Sequence, residues 1–149
     1  MAEEQFEEFQ NPSDEQLEEL LKKYKNVAVA GLTPKQESNA NRVARFLKRH
    51  GFRIYPVNPR YESILGEVTW PYLRNITDPV DIVEVFRRPE HLGGIIEDAV
   101  KVGAKVIWLQ LGVVDEEFAR RAKEAGFEVV MNRCMKKEYE RVVLKRRVR

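Results

Sequence analysis

The sequence predicts an α/β fold, a Rossmann-like doubly wound parallel sheet of about five strands with helices on both faces. Five short apolar segments recur along the chain, and the segments between them carry apolar residues at helical spacing. The first apolar segment ends at a glycine turn, which a helix-capping residue follows. Strands that alternate with helices in this way form parallel sheets that are covered on both faces.

Residues 26–41 form the first strand, turn and helix start. Residues 27–30 are apolar, the chain breaks at Gly31, and Ser38 or Asn39 can cap the helix that follows. The unpaired N–H groups at a helix N-terminus attract phosphate, and a glycine lets the backbone approach a ligand closely. The unit therefore predicts an anion site. A turn that binds nothing stays an alternative, because the three-glycine dinucleotide fingerprint and the Walker spacing are both missing.

The other elements follow in chain order. Ser13 or Asp14 can cap a helix that runs to about residue 24. Further strands are predicted at residues 53–57, 81–86, 105–109 and 127–131. Residues 61–78 form a less regular connection, and helices are predicted at residues 89–102, from Asp115 to about residue 125, and at residues 136–145.

Length and composition predict one domain in a reducing compartment. The 149 residues suffice for a single core, and we expect a flexible acidic N-terminus at residues 1–12 followed by one domain at residues 13–149. The single cysteine, the lack of a long apolar run and the lack of a signal-peptide core predict a cytoplasmic protein. A net charge of +2 gives no support for nucleic-acid binding, and we expect no membrane contact.

Charge is unevenly distributed along the chain. Residues 1–19 carry eight acidic residues and no Lys or Arg, whereas residues 133–149 carry eight basic residues. Two interpretations are open: the terminal segments are solvated and lie near each other, or the basic C-terminal tail binds an acidic partner.

The residues after the second strand predict the kind of nucleotide that is bound. Ligands of such sheets lie beyond the carboxyl ends of the strands, and a NAD site has Asp or Glu after the second strand to hold the ribose hydroxyls. Here Asn58, Pro59 and Arg60 occupy that position. A cation in place of a carboxylate disfavours NAD and favours a nucleotide with an additional ribose phosphate. NADP and coenzyme A both fit.

Several segments together resemble a known family. They are GLTPKQESNANRVARFLKRHG, YPVNP, GEVTW, VDIVEVFRRP, VIWLQLGVVDEE and VVMNRC, which span roughly residues 25–140 in order. This pattern is similar to the small stand-alone CoA-binding proteins, which resemble the CoA-binding domain of the succinyl-CoA synthetase α subunit. The resemblance implies that coenzyme A or acyl-CoA lies across the strand ends.

The resemblance also implies a set of binding residues. Phosphate contacts are expected from the first turn and helix start, at Gly31, Leu32, Thr33, Lys35, Ser38, Asn39 and Arg42. The adenosine is expected to border the residues after the second strand, Val57, Asn58, Pro59 and Arg60. The rest of coenzyme A is expected to contact Val85, Phe86 and Arg87, and Gln110 is expected to hydrogen-bond the pantetheine amides or to serve only in its loop.

The sequence carries no pattern that predicts catalysis. The synthetase α subunit uses a phosphorylated histidine in a second domain, which we expect this protein to lack, and we expect structural or solvent roles for His50 and His91. Neither metal-ligand spacing nor a G-x-S-x-G motif is present. We therefore expect no catalytic residue, no metal, and a carrier, sensor or protective role. The alternatives are a NADP-dependent reductase and an interaction module that uses the basic tail.

Cys134, the single thiol, follows the fifth strand. One interpretation is a small buried apolar residue. The other is that Cys134 faces the pantetheine end of bound coenzyme A and forms a mixed disulfide with it, since the neighbouring Arg133, Lys136 and Lys137 would lower the pKa of the thiol.

Overall fold

Residues 8–146 are described by the computed structural model, and five of their strands form one parallel sheet. In chain order the strands are β1 (Asn26–Ala30), β2 (Arg53–Val57), β3 (Ser63–Ile64), β4 (Glu67–Val68), β5 (Ile82–Val85), β6 (Val106–Leu109) and β7 (Glu128–Met131). The sheet has the order β2-β1-β5-β6-β7, and β3 and β4 form a separate antiparallel pair. The predicted fold class is confirmed.

Helices cover both faces of the sheet. They are α1 (Asp14–Lys23), α2 (Asn39–Arg49), α3 (Ile95–Lys101), α4 (Glu116–Glu124) and α5 (Met135–Glu138), which continues into a π-helix (Tyr139–Val143). Apolar residues of α1, α2, α5 and the π-helix pack on one face, and those of α3 and α4 pack on the other. Side chains cap three of these helices: Ser13 caps α1, Ser38 caps α2 and Asp115 caps α4.

The predicted helix at residues 89–102 is wrong as one element. A short 3₁₀ helix (Pro89–His91) ends at Leu92, and α3 begins only at Ile95. Gly94, which precedes α3, has a φ of 83°, a left-handed conformation that interrupts a right-handed helix. The two glycines at positions 93 and 94 therefore divide the segment.

Two further predictions need correction. The last helix begins at Met135 and changes to π-helical hydrogen bonding at Tyr139, where the Leu144 N–H donates to the Tyr139 carbonyl at 3.1 Å. The connection at residues 61–78 contains β3, β4 and a 3₁₀ helix (Leu73–Asn75). Trp70 adds an isolated parallel bridge to Val57 at the edge of β2.

The two ends of the described chain are held by polar contacts. The predicted flexible segment, residues 1–12, lies partly outside the described residues; within it, Asn11 hydrogen-bonds Met131 of β7. Arg141 of the π-helix contacts Asp14 at 2.7 Å and Glu138 at 2.6 Å, and Lys145 contacts Glu18 at 3.1 Å. Acidic and basic segments thus pack together. The tail residues 147–149 lie outside the described part of the chain.

Candidate functional site

The sheet changes winding direction between β1 and β5. From β1 the chain crosses to β2 at one edge of the sheet, and from β5 it continues to β6 and β7 toward the other. Loops that leave adjacent strands in opposite directions open a crevice between them, and ligands of this sheet type bind there. The residues that follow β1 and β5 form this crevice.

Gly31 ends β1, and the protein's own backbone requires a glycine there. Its φ is 93°, and its N–H donates to the Val57 carbonyl at 3.2 Å. A Cβ at this position would lie 3.1 Å from the carbonyl oxygen of Phe86 and 3.5 Å from Cγ of Arg87. The sequence suggests that the missing Cβ admits a ligand; in the structure it admits the backbone of the β5 loop.

Side chains of the turn itself hold the start of α2. The Ser38 hydroxyl accepts the Asn41 N–H at 3.1 Å and donates to the Lys35 carbonyl at 2.9 Å. The Asn41 amide donates to the Thr33 carbonyl at 2.9 Å, and the Thr33 hydroxyl lies 3.2 Å from the Ser38 hydroxyl. Apart from the Asn41 N–H, which Ser38 accepts, the N–H groups of Asn39 and Ala40 have no acceptor within the helix, so the turn presents these two donors at the crevice.

Asn58, after β2, connects the two turns on this side of the crevice. Its Nδ2 donates to the Leu32 carbonyl at 3.1 Å, and its Oδ1 accepts the Arg60 N–H at 3.0 Å. Pro59 has no side-chain donor or acceptor, so the connection depends on the Asn58 amide. The Asn58-Pro59-Arg60 segment is thereby fixed beside the β1 turn.

Two connected clefts lie along the carboxyl ends of the strands. The first has a volume of about 410 Å³ and is lined by Gly31, Thr33, Ser38, Asn39, Ala40, Phe86, Arg87, Arg88, Pro89, Gln110, Leu111, Gly112 and Val113. The second has a volume of about 450 Å³ and is lined by Gly31, Thr33, Lys35, Asn58, Pro59, Arg60, Tyr61 and Arg87. Gly31, Thr33 and Arg87 border both, so the clefts form one elongated site.

The lining of these clefts is positively charged. It contains Lys35, Arg60, Arg87 and Arg88, and neither Asp nor Glu is among the lining residues. Cations without a carboxylate neighbour favour an anionic ligand, above all one with several phosphates.

Two buried polar atoms in the site have no partner. Nε of Arg87 and Oε1 of Gln110 are both inaccessible to solvent and form no hydrogen bond. Gln110 as a whole is only 4% exposed. Since buried polar groups are nearly always paired, the unpaired Nε of Arg87 fits a site whose ligand supplies a hydrogen-bond acceptor.

Most of the predicted site residues line the clefts, and five do not. Leu32, Val57 and Val85 are core side chains whose carbonyls accept hydrogen bonds from Asn58, Gly31 and Gln110. Arg42 is exposed and donates to the Glu37 carbonyl at 3.0 Å. Cys134 is partly buried at the start of α5 and packs against the apolar cluster beneath α1, α2 and α5.

Several lining residues are absent from the predicted set. Ala40, Pro89, Val113 and Tyr61 border the clefts without a polar pattern that would single them out. Among residues 8–146 no cluster of three His, Cys, Asp or Glu side chains fits a metal ion, and no helix has the length and apolarity to cross a membrane.

The model of a protein family described as "CoA binding domain" matches residues 25–140. The chain belongs to the CoA-binding domain family. The matched range contains all five strands of the parallel sheet and every residue that lines the two clefts.

Three comparisons place this CoA-binding domain among known proteins. YneT of Bacillus subtilis is 39% identical over 127 residues, which are 85% of this chain and 94% of YneT. The structure of a hypothetical protein from Pyrococcus horikoshii OT3 superposes with a TM-score of 0.86 at 40% identity and covers 93% of this chain and 99% of that chain. An ADP-forming acetate–CoA ligase of Archaeoglobus fulgidus is 25% identical over 124 residues, which are 74% of this chain but only 18% of the ligase.

Proposed function

We propose that the protein binds coenzyme A or an acyl-CoA in the elongated site at the carboxyl ends of β1, β2, β5 and β6. The observation that carries the proposal is the charge of the site, which has four cations and no carboxylate along two connected clefts. Coenzyme A is long and carries a diphosphate and a 3′-phosphate, so it suits an elongated site with separated cations. Membership of the CoA-binding domain family supports the same ligand.

The two clefts suggest an orientation for the ligand. The second cleft, with Lys35 and Arg60, suits the adenosine and its 3′-phosphate. The shared border at Arg87 and the α2 N-terminus suit the diphosphate, because free N–H groups and a guanidinium both bind phosphate oxygens. The first cleft then holds the pantetheine arm, whose amide groups suit the side-chain amide of Gln110, a lining residue of this cleft.

We also propose that the protein acts as a non-catalytic carrier, sensor or protective binder. Neither histidine lines the clefts: His50 stacks on Phe46 with a centroid distance of 4.0 Å and has its Nδ1 2.8 Å from the Phe46 carbonyl, and His91 lies in the 3₁₀ helix after β5. The lining contains neither a histidine nor a carboxylate, the commonest general acids and bases, and its ionisable side chains are Lys35, Tyr61 and three arginines.

Calorimetric titration of the purified protein with coenzyme A, NADP and NAD tests the ligand. We expect coenzyme A to bind, NADP to bind more weakly because it has no pantetheine arm, and NAD to bind weakest because it also lacks the ribose phosphate. Equal affinity for coenzyme A and NAD would refute the proposal. Tighter binding of NADP than of coenzyme A would favour a NADP-dependent reductase instead.

A further inference from the structure

Glu84 places a carboxyl group in the interior of the sheet. Its side chain is fully buried, and its register neighbours are Val29 of β1 and Trp108 of β6. Neither of its oxygens has a hydrogen-bond partner. Burial raises the pKa of Glu84 to about 8, so the group keeps its proton at neutral pH. A protonated carboxyl is a hydrogen-bond donor as well as an acceptor.

The register of β5 and β6 places Gln110 on the same face of the sheet as Glu84. It follows Trp108 by two residues, and its N–H still donates to the Val85 carbonyl at 3.1 Å, so the alternation of strand β6 continues through it. Glu84 and Gln110 are therefore diagonal neighbours on adjacent strands, a placement from which two long side chains can meet. Gln110 also lines the first cleft, while its Oε1 is buried without a partner.

The protonation of Glu84 decides which atom of the Gln110 amide it can hold. An ionised carboxylate and an amide oxygen are both acceptors and cannot bond, whereas a neutral carboxyl can donate to Oε1. With Oε1 held inward, Nε2 faces the cleft as a donor. An ionised Glu84 would instead accept a hydrogen bond from Nε2, and the rotated amide would present its oxygen to the cleft.

We propose that Glu84 is a positioning residue for ligand binding: while protonated it fixes Gln110 with its N–H donor toward the cleft, and on losing the proton it reverses the amide. The inference rests on the proposed function, because the affected ligand group is a carbonyl of the pantetheine arm. Binding of coenzyme A would then weaken as the solution becomes alkaline.

No other ionisable group around this face accounts for the raised pKa of Glu84. The pKa of Glu84 is raised by burial, with no neighbouring charge among the causes. The ionisable groups that contact the apolar cluster on this face or adjoin it at the cleft include Tyr24, Lys25, Arg45, His50, Arg87, Cys134 and Tyr139, with the ion pairs Lys136–Glu140 and Glu138–Arg141.

The first test needs no ligand. The side-chain amide signals of Gln110 are followed by ¹⁵N nuclear magnetic resonance from pH 6 to pH 10, with Gln110→Leu identifying them and circular dichroism confirming the fold at each pH. We expect the signals to titrate in the unaltered protein and to stay constant in Glu84→Gln, whose side chain cannot ionise. Signals that do not titrate, or that titrate alike in both proteins, would overturn the proposal.

The second test measures affinity with acetyl-CoA, whose blocked thiol does not titrate. Between pH 7.5 and 9.5 we expect binding to the unaltered protein to weaken about three- to tenfold, the cost of one lost hydrogen bond. In Glu84→Gln and in Gln110→Leu this fall should be absent. A fall of the same size in Glu84→Gln would overturn the positioning role. If acetyl-CoA does not bind at pH 7.5 while the Gln110 signals titrate in the unaltered protein alone, the proposed function fails and the coupling of Gln110 to the Glu84 proton stands.

Discussion

The side-chain amide of Asn11 occupies the outer edge of Met131 as a neighbouring strand would. Its Nδ2 donates to the Met131 carbonyl at 2.9 Å, and its Oδ1 accepts the Met131 N–H at 2.7 Å. Met131 belongs to β7, the last strand at this end of the sheet. An exposed strand edge is a template for pairing with another chain, so Asn11 both stabilises the edge and protects it.

We expect Asn11→Ala to lower the free energy of unfolding by about 1–3 kcal/mol, because two partly buried backbone groups lose their partners. Urea unfolding measures this change, and light scattering measures any self-association through the uncovered edge. Gln10→Ala is the matched control, since Gln10 is exposed. Equal stability of the two variants would show that solvent replaces the amide without loss.

We expect Gly31→Ala to destabilise the fold more than Gly126→Ala. Both glycines have a left-handed φ, 93° and 100°, and both substitutions incur that strain of about 1–3 kcal/mol. Only at Gly31 would the new Cβ also press on the Phe86 carbonyl, since a Cβ at Gly126 would have no neighbouring atom within 4 Å. Denaturant midpoints compare the variants. Equal midpoints would show that the loop after β5 shifts to accommodate the new Cβ at no cost in stability, and that its contact with the Phe86 carbonyl does not matter.

We expect Arg60→Ala to weaken binding of coenzyme A while leaving dephospho-CoA unaffected. Loss of a charge-assisted hydrogen bond to the 3′-phosphate costs about 1.5 kcal/mol, or roughly tenfold in affinity. Calorimetric titration with both ligands gives the comparison. Arg53→Ala is the control, because Arg53 lies at the opposite end of β2 and pairs with Asp78 at 3.5 Å. An equal loss of affinity for the two ligands would show that Arg60 does not contact the 3′-phosphate.

We expect Glu84→Gln to flatten the dependence of stability on pH. The folded protein holds the Glu84 proton up to a pKa of about 8, whereas the unfolded chain releases it near the ordinary value of 4.5. The stabilisation is therefore complete below pH 4.5, declines by up to about 1.4 kcal/mol per pH unit above it, and is lost once the pH passes 8. Urea unfolding between pH 5 and pH 9 checks this, with the exposed Glu90→Gln as control. If the free energy of unfolding of Glu84→Gln declines equally with pH, ionisable groups other than Glu84 cause the decline.

The sequence predicted the five strands of the parallel sheet, their order of appearance and the starts of α1, α2 and α4 because local signals determine them. Apolar runs marked β1, β2 and β5, and Ser13, Ser38 and Asp115 became the capping residues. The chain after Pro89 was mispredicted, because two glycines outweighed the apolar spacing that continues through Val102. In the last helix the buried Met135, Tyr139 and Val142 follow α-helical spacing, so the sequence did not reveal the change at Tyr139.

The candidate site was predictable where it depends on strand ends and not where it depends on packing. Gly31, Asn58, Arg87 and Gln110 follow strands in the sequence and line the clefts in the structure. An acid inside an apolar strand gives no sign in the sequence of whether a cation lies opposite it. Only the register of the neighbouring strands shows that Glu84 lies between Val29 and Trp108 and not beside a cation.

The packing of α1 on the π-helix bears on how the chain folds during synthesis. Leu17, Leu20 and Leu21 are buried against the last helical segment, and Asp14 and its partner Arg141 are 127 residues apart in sequence. The ribosome releases α1 before the sheet strands and residues 139–143 after all of them. The parallel sheet can begin to assemble beforehand, but an apolar face of α1 stays uncovered until residues 139–143 have left the ribosome, and exposed apolar surface of this kind is what chaperones protect.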